Sequence, residues 1–383
     1  MIQAGAWLGL LGGGQLGRMF TQAAQRLGYK VLVVDPDEDS PAGMLADAHL
    51  AADYLDPSAL EEISSVCEAA TTEFENVPAD ALAYLQQRIP VSPSPRCVAV
   101  AQDRIQEKRF LADAPGVVPY WVILTADDLT GVQASAIYPA ILKQARLGYD
   151  GKGQRRVANA SEAIAAFNDF GRVACVLEKF LPLDCEISVI VARSFDGKNC
   201  TFPLAENRHE NGILDVSIVP AAIDERLAQR AREAAIHVAE KLDYHGVLCV
   251  EFFVLPDGSL LANEIAPRPH NSGHYTLDAC VTSQFEQQVR VLCGIPLGAT
   301  DLLRPAVMIN LLGDLWQRGE PDWTQVLQHS NCKLHLYGKS AARAGRKMGH
   351  FTVLDPARDS ALKLALSIKN TLSSNAQFEA KRA

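Results

Sequence analysis

Two glutamates in apolar sequence are the residues of this chain whose spacing most directly indicates chemistry. The stretch from Glu251 to His274 reads EFFVLPDGSLLANEIAPRPHNSGH, and its Asp257-Gly258 pair lies between two apolar runs. Asp-Gly between such runs is typical of a β-hairpin with a two-residue tip. In a hairpin with that tip the numbers of paired residues add to a constant, so Glu251 is expected to face Glu264.

Facing carboxylates repel each other across a strand pair. At about 5 Å and an effective dielectric constant of about 20 the repulsion is about 3 kcal/mol, whereas a good cross-strand pair contributes about 1 kcal/mol. A cation between the carboxylates offsets this repulsion, and oxygen ligands suit Mg2+, with Asn263 as a further oxygen donor. The alternative is two solvated glutamates on an exposed face, which the flanking apolar residues disfavour. The sequence therefore predicts a metal site at Glu251 and Glu264.

A glycine-rich turn lies near the N-terminus. An apolar strand is predicted at Trp7–Leu11, followed by GGGQLG at residues 12–17 and a helical pattern through Leu27. The apolar run at residues 31–34 ends in Asp35, which completes the G-x-G-x-x-G fingerprint of a dinucleotide-binding unit. An NAD(P)-dependent oxidoreductase is therefore one interpretation. The other is a βα unit whose helix N-terminus offers unpaired N–H groups to an anion such as a substrate phosphate.

Two later segments also carry groups suited to anions. Residues 148–154 (GYDGKGQ) have no apolar periodicity, and backbone N–H groups in such a loop can approach phosphate closely. Their spacing does not match a Walker A loop, and a flexible hairpin tip is the alternative for this segment. Residues 267–274 (PRPHNSGH) bring one arginine and two histidines together in a proline-stiffened loop, which suits an oxyanion-handling site.

Length and composition limit the class of protein. The chain has 383 residues, of which 48% are hydrophobic and 21% charged, so two or three domains of an ordinary globular protein are expected. Its net charge of -9 argues against a nucleic-acid partner. No apolar run is long enough to span a bilayer, and the N-terminus lacks the basic segment of a signal peptide. Nine scattered cysteines without C-x-x-C spacing predict reduced thiols in a cytoplasmic protein.

Regular elements are predicted around these candidate residues. We expect one amphipathic helix over residues 101–114, a strand over 138–144 that carries Lys143, and a buried strand over 173–180. A helix capped by Asp224 is expected to end near Leu242, and another to span residues 283–292. The Ser-Pro-Ser-Pro segment at 92–95 is a predicted domain boundary.

Four motifs, in this order, resemble those of ATP-grasp enzymes, and among them those of N5-carboxyaminoimidazole ribonucleotide synthetases. The motifs are GGGQLGRM (12–19), GYDGKGQ (148–154), NEIAPRPHNSGH (263–274) and GRKMGH (345–350). The resemblance implies a fold that combines α/β and α+β parts: a Rossmann-like parallel-sheet domain (1–95), an ATP-grasp domain (96–300) with a mobile subdomain at about 120–205, and a small C-terminal domain (301–370). Residues 371–383 are expected to form a frayed tail.

The activity implied by the resemblance is ATP- and bicarbonate-dependent carboxylation of 5-aminoimidazole ribonucleotide, through carboxyphosphate, in de novo purine biosynthesis. ATP and Mg2+ are the implied cofactors, and the implied assembly is a homodimer without nucleic-acid or membrane partners. Paired carboxylates and a second glycine loop have no role in hydride transfer, which disfavours the oxidoreductase. A nucleotide-binding protein without catalysis is a third possibility, although none of the family's ATP or metal residues is missing.

The resemblance also implies roles for individual residues. Those matching ATP-binding positions are Arg104, Lys143, Gly148, Tyr149, Asp150, Gly151, Lys152, Gly153, Gln154, Glu178, Lys179, Phe180, Leu181, Glu186, His209, Asn263 and Glu264. Those matching ribonucleotide-binding positions are Gln15, Leu16, Glu73, Tyr149, Asp150, Lys339 and Arg346. Those matching catalytic positions are Asp150, Arg268, His270, Asn271 and Lys339, with Glu251 and Glu264 as metal ligands. One departure is Ala344, where the family usually has proline.

Overall fold

Three β-sheets organise the part of the chain that the structure describes. The structure is a computed structural model, and it describes residues 1–112, 116–131, 136–146, 148, 153–317 and 319–378. Within these ranges no helix is long and apolar enough to cross a membrane. Each of the nine cysteines is a free thiol, as predicted, and most of them are buried.

The N-terminal sheet is parallel, with the order β3-β2-β1-β4. Its strands are β1 (Trp7–Leu11), β2 (Lys30–Val34), β3 (Ala48–Leu50) and β4 (Ala69–Thr72). Its helices are α1 (Gln15–Arg26), α2 (Pro57–Val66) and α3 (Ala79–Gln86). Strands β1 and β4 are neighbours, so the glycine turn after Leu11 lies beside the segment after Thr72. The predicted Rossmann-like arrangement is confirmed.

A small antiparallel sheet follows, with the order β5-β8-β6-β7. Its strands are β5 (Tyr120–Ile123), β6 (Ala140–Gln144), β7 (Gln154–Val157) and β8 (Cys175–Lys179). Two helices, α4 (Pro95–Ala101) and α5 (Arg104–Leu111), precede it, and α6 (Ala160–Asp169) packs against it through Ala163, Ala166 and Phe167.

The third sheet has nine strands and contains the carboxylate hairpin. The strands are β9 (Cys185–Arg193), β10 (Asn199–Thr201), β11 (Ala205–Glu210), β12 (Ile213–Val219), β13 (Gly246–Val254), β14 (Leu260–Ala266), β15 (Ala306–Leu312), β16 (Cys332–Leu336) and β17 (Lys347–Leu354). Their order is β14-β13-β9-β11-β12-β15-β17-β16, and β10 pairs with β9. The helices around this sheet are α7 (Glu225–Lys241), α8 (Thr276–Ala279), α9 (Gln284–Leu292), α10 (Thr324–Leu327) and α11 (Arg358–Phe378).

Several elements differ in extent or position from the sequence predictions. The helix expected over 101–114 begins three residues later, at Arg104, because the Asp103 side chain caps it by accepting from the backbone of Ile105 and Gln106. Strand β9, expected in the mobile subdomain, pairs along its whole length with β13 in the large sheet. The C-terminal strands continue that same sheet, since β15 pairs with β12. The tail expected to fray from residue 371 is helical through Phe378.

Candidate active site

The predicted pairing of Glu251 with Glu264 across β13 and β14 is confirmed. The tip is different from the expected one: Leu255 pairs with Ser259 around three loop residues, and Gly258 takes a φ of +78°. Near the tip Phe252 faces Ala262, so the register is one residue away from the predicted one. Asn263 is the extra residue of a β-bulge, and this bulge brings the two glutamates opposite each other.

Helix α5 holds the bulge from the side opposite β13. Lys108 Nζ donates to the Asn263 carbonyl at 2.6 Å, and Glu107 Oε1 accepts from the Ile265 amide at 2.7 Å. Arg104, one turn earlier on the same helix face, forms an ion pair with Glu264 at 3.0 Å. Neither Glu107 nor Lys108 was predicted to have a role in the site. Their spacing of three and four residues from Arg104 is the signal that would have placed them on one face.

The two facing glutamates have opposite pKa shifts. Burial, and then the charge of Glu264, raises the pKa of Glu251 to about 7. Burial also acts on Glu264, but the nearby Arg104 and Lys143 cations outweigh it and lower the pKa to about 2. The bulge contributes a third oxygen, since Asn263 Oδ1 is buried without a hydrogen-bond partner in the described part of the chain. Two carboxylates and an unsatisfied amide oxygen are a donor set that fits Mg2+.

A buried ion-pair ladder connects this hairpin with the small sheet. Glu178 of β8 accepts from Lys143 at 2.7 Å and lies 3.0 Å from Lys108. Burial would raise the pKa of Glu178, but Lys143 and Lys108 lower it to about 2. Beyond Glu178 the strand becomes exposed, and the Phe180 ring lies 3.8 Å from the Arg156 guanidinium. Several cations therefore lie together where the hairpin meets the small sheet.

Two more residues of the predicted ATP set lie on neighbouring strands of the large sheet. His209 Nδ1 of β11 lies 3.1 Å from Glu186 Oε2 of β9. Burial alone would lower the pKa of His209, but the Glu186 hydrogen bond and the charge of Glu251 raise it to about 9. At the start of the second glycine loop, the Gly148 carbonyl accepts from Arg104 at 3.3 Å. Tyr149, Asp150, Gly151 and Lys152 lie outside the described residues, and Gly153 and Gln154 lead into β7.

The loop after β14 contacts both the hairpin and the N-terminal sheet. Arg268 forms a two-pronged ion pair with Glu75, in which Nη2 lies 3.0 Å from Oε1 and Nε contacts Oε2. His270 Nε2 lies 3.4 Å from Glu251 Oε1, while its Nδ1 faces Ser272. Burial, and then the charge of Arg268, lowers the pKa of His270 to about 3. Asn271 is buried, and among the described residues neither polar atom of its side chain has a partner.

A cavity of about 180 Å³ brings together four of the residues predicted to hold the ribonucleotide: Gln15, Glu73, Lys339 and Arg346. Lys339 Nζ donates to the Lys347 carbonyl at 2.7 Å, and Arg346 donates to the Ala341 carbonyl at 2.8 Å. The Leu16 side chain does not line this cavity, because it is buried in a cluster with Phe285 and Tyr337.

Carboxylates accept from three of the N–H groups at the glycine turn that were expected to be unpaired. Glu73 accepts from the Gly14 amide at 2.7 Å and from the Gly17 amide at 2.8 Å. Asp35 accepts from the Gly13 amide at 2.7 Å and from the Tyr54 hydroxyl at 2.8 Å. These three amides are taken because the turn meets carboxylates from two other strand ends, a contact that no local sequence signal indicates. Asp35 is 8% exposed and bonded within the protein.

Comparison with known proteins decides between the interpretations. Family models match as a ribonucleotide synthetase preATP-grasp domain over residues 6–102, an ATP-grasp domain over 112–285 and a phosphoribosylaminoimidazole carboxylase C-terminal domain over 306–364. The N5-carboxyaminoimidazole ribonucleotide synthase of Bacillus subtilis is 44% identical over 94% of this chain and 94% of its own. The chain belongs to this synthase family. It is an ATP-grasp ligase, and the oxidoreductase interpretation is not favoured.

Solved structures of the synthase family have the same fold. The crystal structure of an ADP complex of N5-carboxyaminoimidazole ribonucleotide synthetase is 41% identical and superposes with a TM-score of 0.91, covering 98% of this chain and 99% of that one. The Aspergillus clavatus synthase in complex with ADP and 5-aminoimidazole ribonucleotide is 29% identical, with a TM-score of 0.86 and coverage of 97% and 99%. The predicted combination of a parallel-sheet domain, an ATP-grasp domain and a C-terminal unit is confirmed.

Proposed function

We propose that this protein uses ATP and bicarbonate to carboxylate 5-aminoimidazole ribonucleotide to N5-carboxyaminoimidazole ribonucleotide in purine biosynthesis. The segment from Glu73 to Glu75 is the observation that carries the proposal. Glu73 lines the cavity that contains Lys339 and Arg346, and Glu75 holds Arg268 of the loop that places His270 beside Glu251. Two residues that follow one strand thus connect the cavity containing Lys339 and Arg346 with the carboxylate pair.

The reaction starts with bicarbonate, which is a poor electrophile. A bicarbonate oxygen attacks the γ-phosphorus of ATP, ADP leaves, and carboxyphosphate forms. Its C–O bond then breaks to release phosphate and CO2, and the exocyclic amine of the ribonucleotide attacks the carbon and loses a proton. We assign that proton to Asp150. Cations positioned around the transferring phosphoryl group stabilise its charge, and a closed pocket keeps water from carboxyphosphate.

The proposed residue roles follow the clusters described above. Arg104 and Lys143 contact the phosphates of ATP, the segment Lys179–Leu181 lines the adenine pocket, and Glu186 with His209 faces the ribose. Glu251 and Glu264 hold Mg2+, with Asn263 beside them. A bound Mg2+ would supply positive charge to the phosphates. Arg268, His270 and Asn271 hold bicarbonate and the intermediate, and the loop at 148–154 closes over ATP.

Three further features of the protein are proposed with this function. The division at residues 95 and 300 separates the nucleotide cleft from the cavity that receives the ribonucleotide. The assembly is a homodimer, and the protein acts in the cytoplasm. Sedimentation of the purified protein at several concentrations tests the dimer, since a monomer would keep one sedimentation coefficient at the monomer value.

The most direct test measures ADP, phosphate and carboxylated product in one reaction mixture. With Mg2+-ATP and bicarbonate, addition of 5-aminoimidazole ribonucleotide is expected to accelerate ADP release and to yield carboxylated product. NADH or NADPH added in its place is expected to change nothing. An ADP release rate that ignores the ribonucleotide, with no carboxylated product, would show that the substrate is a different molecule.

A further inference from the structure

A chain of buried hydrogen bonds crosses the large sheet and ends at His270. The Ser217 hydroxyl donates to Asn207 Oδ1 at 2.8 Å, and Asn207 Nδ2 donates to Ser188 Oγ at 2.9 Å. The Ser188 hydroxyl donates to Ser272 Oγ at 2.7 Å, and Ser272 Oγ lies 2.8 Å from His270 Nδ1. These four residues come from β12, β11, β9 and the loop after β14, and none is more than 5% exposed.

The direction of this chain is fixed at its end. The Ser272 backbone amide points at His270 Nδ1 at 3.3 Å, and a backbone amide can only donate. Nδ1 is therefore an acceptor, and in the neutral ring the proton lies on Nε2. The Ser272 hydroxyl already accepts from Ser188, so its own proton goes to Nδ1. If the Asn207 amide were turned over, the hydrogen bonds would run in the opposite direction. A proton on Nδ1 would then face the proton of the Ser272 backbone amide.

The protonated ring nitrogen faces the metal hairpin. His270 Nε2 lies 3.4 Å from Glu251 Oε1, so in this tautomer the ring places an N–H group near a carboxylate oxygen. We propose that Ser272, Ser188, Asn207 and Ser217 are positioning residues that hold His270 in the Nε2–H tautomer, so that His270 acts as a hydrogen-bond donor and not as a proton acceptor. This inference rests on the proposed carboxylation only for its activity measurements.

The energetics of burial support a role for the chain. Polar side chains inside a sheet are costly unless each has a hydrogen-bond partner, and the neighbours of Ser188 and Ser217 on their strands are buried apolar residues.

The tautomer of His270 also affects which residues can bind a metal ion. In the described part of the molecule, Cys249, Glu251 and His270 form a group whose ligand atoms lie within 4.8 Å of one another. A protonated Nε2 has no lone pair for a cation, so this tautomer removes His270 from that group.

The tautomer can be measured without any substrate. The ring nitrogens of protein labelled with 15N-histidine distinguish a protonated from an unprotonated nitrogen by chemical shift, and the signals missing in His270→Gln assign those of His270. We expect Nε2 to carry the proton and Nδ1 to carry none. A protonated Nδ1 would overturn the proposal. This result stands even if the protein proves to carboxylate another substrate.

A substitution within this series of hydrogen bonds tests whether the series positions the His270 ring. Ser272→Ala removes the hydroxyl donor to Nδ1, and we expect the His270 nitrogen signals to move towards a mixture of tautomers. Loss of such an outer-shell hydrogen bond is expected to lower kcat by about 10- to 100-fold while the KM for ATP changes little. Thr352→Val is the matched control, because Thr352 Oγ1 is buried with no partner in the described chain. Unchanged nitrogen signals and kcat in Ser272→Ala would contradict the positioning role.

Two substitutions of His270 separate donation from proton transfer. Glutamine can present an amide N–H near the position of Nε2 but does not accept a proton at neutral pH, whereas alanine can do neither. If His270 is a donor, kcat of His270→Gln is expected to exceed that of His270→Ala by about tenfold, as for loss of a hydrogen bond to a charged group. Equal kcat values for the two variants would show that an N–H donor at this position does not support turnover and would overturn the assignment.

Discussion

The two carboxylates of the hairpin have different neighbours, although they face each other across one strand pair. Glu264 lies against Arg104, and its pKa falls to about 2, whereas burial and the charge of Glu264 raise the pKa of Glu251 to about 7. Titratable neighbours whose pKa values diverge in this way are typical of functional sites. A bound cation would remove the difference by attracting the charged form of both groups.

Replacing Glu264 by glutamine is expected to abolish turnover and to leave the fold intact. The substitution keeps the shape of the side chain but removes the charge that would bind Mg2+ and that pairs with Arg104 at 3.0 Å. Glu251→Gln is expected to be milder or similar. Steady-state rates over a range of Mg2+ concentrations, together with thermal unfolding, measure both effects.

The matched control for this substitution is Glu233→Gln, on the exposed face of α7, which should leave the Mg2+ dependence unchanged. Near-normal turnover of Glu264→Gln at ordinary Mg2+ concentrations would mean that the hairpin does not hold the metal.

Which site residues could be predicted depended on how far apart their partners lie in the chain. Glu251 and Glu264 lie in one hairpin, so local sequence predicted their pairing, although the three-residue tip and the bulge at Asn263 that produce it were not predicted. The partner of Arg268 is Glu75, 193 residues away, and the glycine amides meet Glu73 from a different strand end. Contacts of that kind depend on how three sheets pack, and no residue pattern near either partner indicates them.

At the scale of secondary structure, strands and long helices were predictable because their apolar patterns are local. The break between α4 and α5 was placed just before residue 101 and not at Gln102 and Asp103, because these two residues do not interrupt the amphipathic pattern. Asp103 alone marked the new helix start, since its side chain accepts from two backbone amides. The break matters for the site because Arg104, which pairs with Glu264, is the first residue of α5.

Asp103→Ala is expected to lower the free energy of unfolding by about 1 kcal/mol, because the first amides of α5 lose their acceptor. Urea denaturation of both proteins measures the difference. Asp103→Asn is the matched control, since asparagine also caps helices and should lose less stability. Equal losses in the two variants would indicate that the ion pair of Asp103 with Arg146, 3.1 Å apart, matters more than the cap.

The second glycine loop, residues 148–154, has a role predicted from the sequence, and its central residues lie outside the described part of the structure. We expect Asp150→Ala to reduce carboxylation more than ATP hydrolysis, because Asp150 is proposed to meet the ribonucleotide, so that phosphate release exceeds product formation. Lys152→Ala should lower both rates together, because Lys152 is proposed to meet ATP phosphate. Phosphate and carboxylated product measured in one reaction decide this. Equal amounts from Asp150→Ala at a reduced rate would limit the loop to an ATP lid.

At the scale of the whole molecule, one ion pair ties the N-terminal sheet to the catalytic loop. Arg268 and Glu75 follow strands of different sheets, and their side chains are 15% and 25% exposed. Burial would raise the pKa of Glu75, but the Arg268 charge outweighs it and lowers the pKa below its ordinary value of 4.5. The pair should therefore stabilise the way the two sheets are joined as well as orient the Arg268 side chain.

Glu75→Gln is expected to lower the free energy of unfolding by about 1 to 3 kcal/mol at neutral pH, because it leaves a largely buried guanidinium without its counter-charge. A carboxyl whose pKa is lower in the folded than in the unfolded protein adds stability above its unfolded pKa, and that stability disappears as the pH falls through the folded pKa. The difference between wild type and Glu75→Gln should therefore be constant near neutral pH and shrink below about pH 4.5.

Denaturant titrations at several pH values measure this difference, and the exposed pair Glu225–Arg232 on α7 provides the comparison. Glu225→Gln should change stability by less than about 1 kcal/mol at any pH, because solvent screens an exposed pair. If the loss in Glu75→Gln stays the same down to strongly acidic pH, the Glu75 charge is not what joins the sheets. Shape and packing at the interface would then account for the contact, and Arg268 would need another source of orientation before it could serve the bicarbonate pocket.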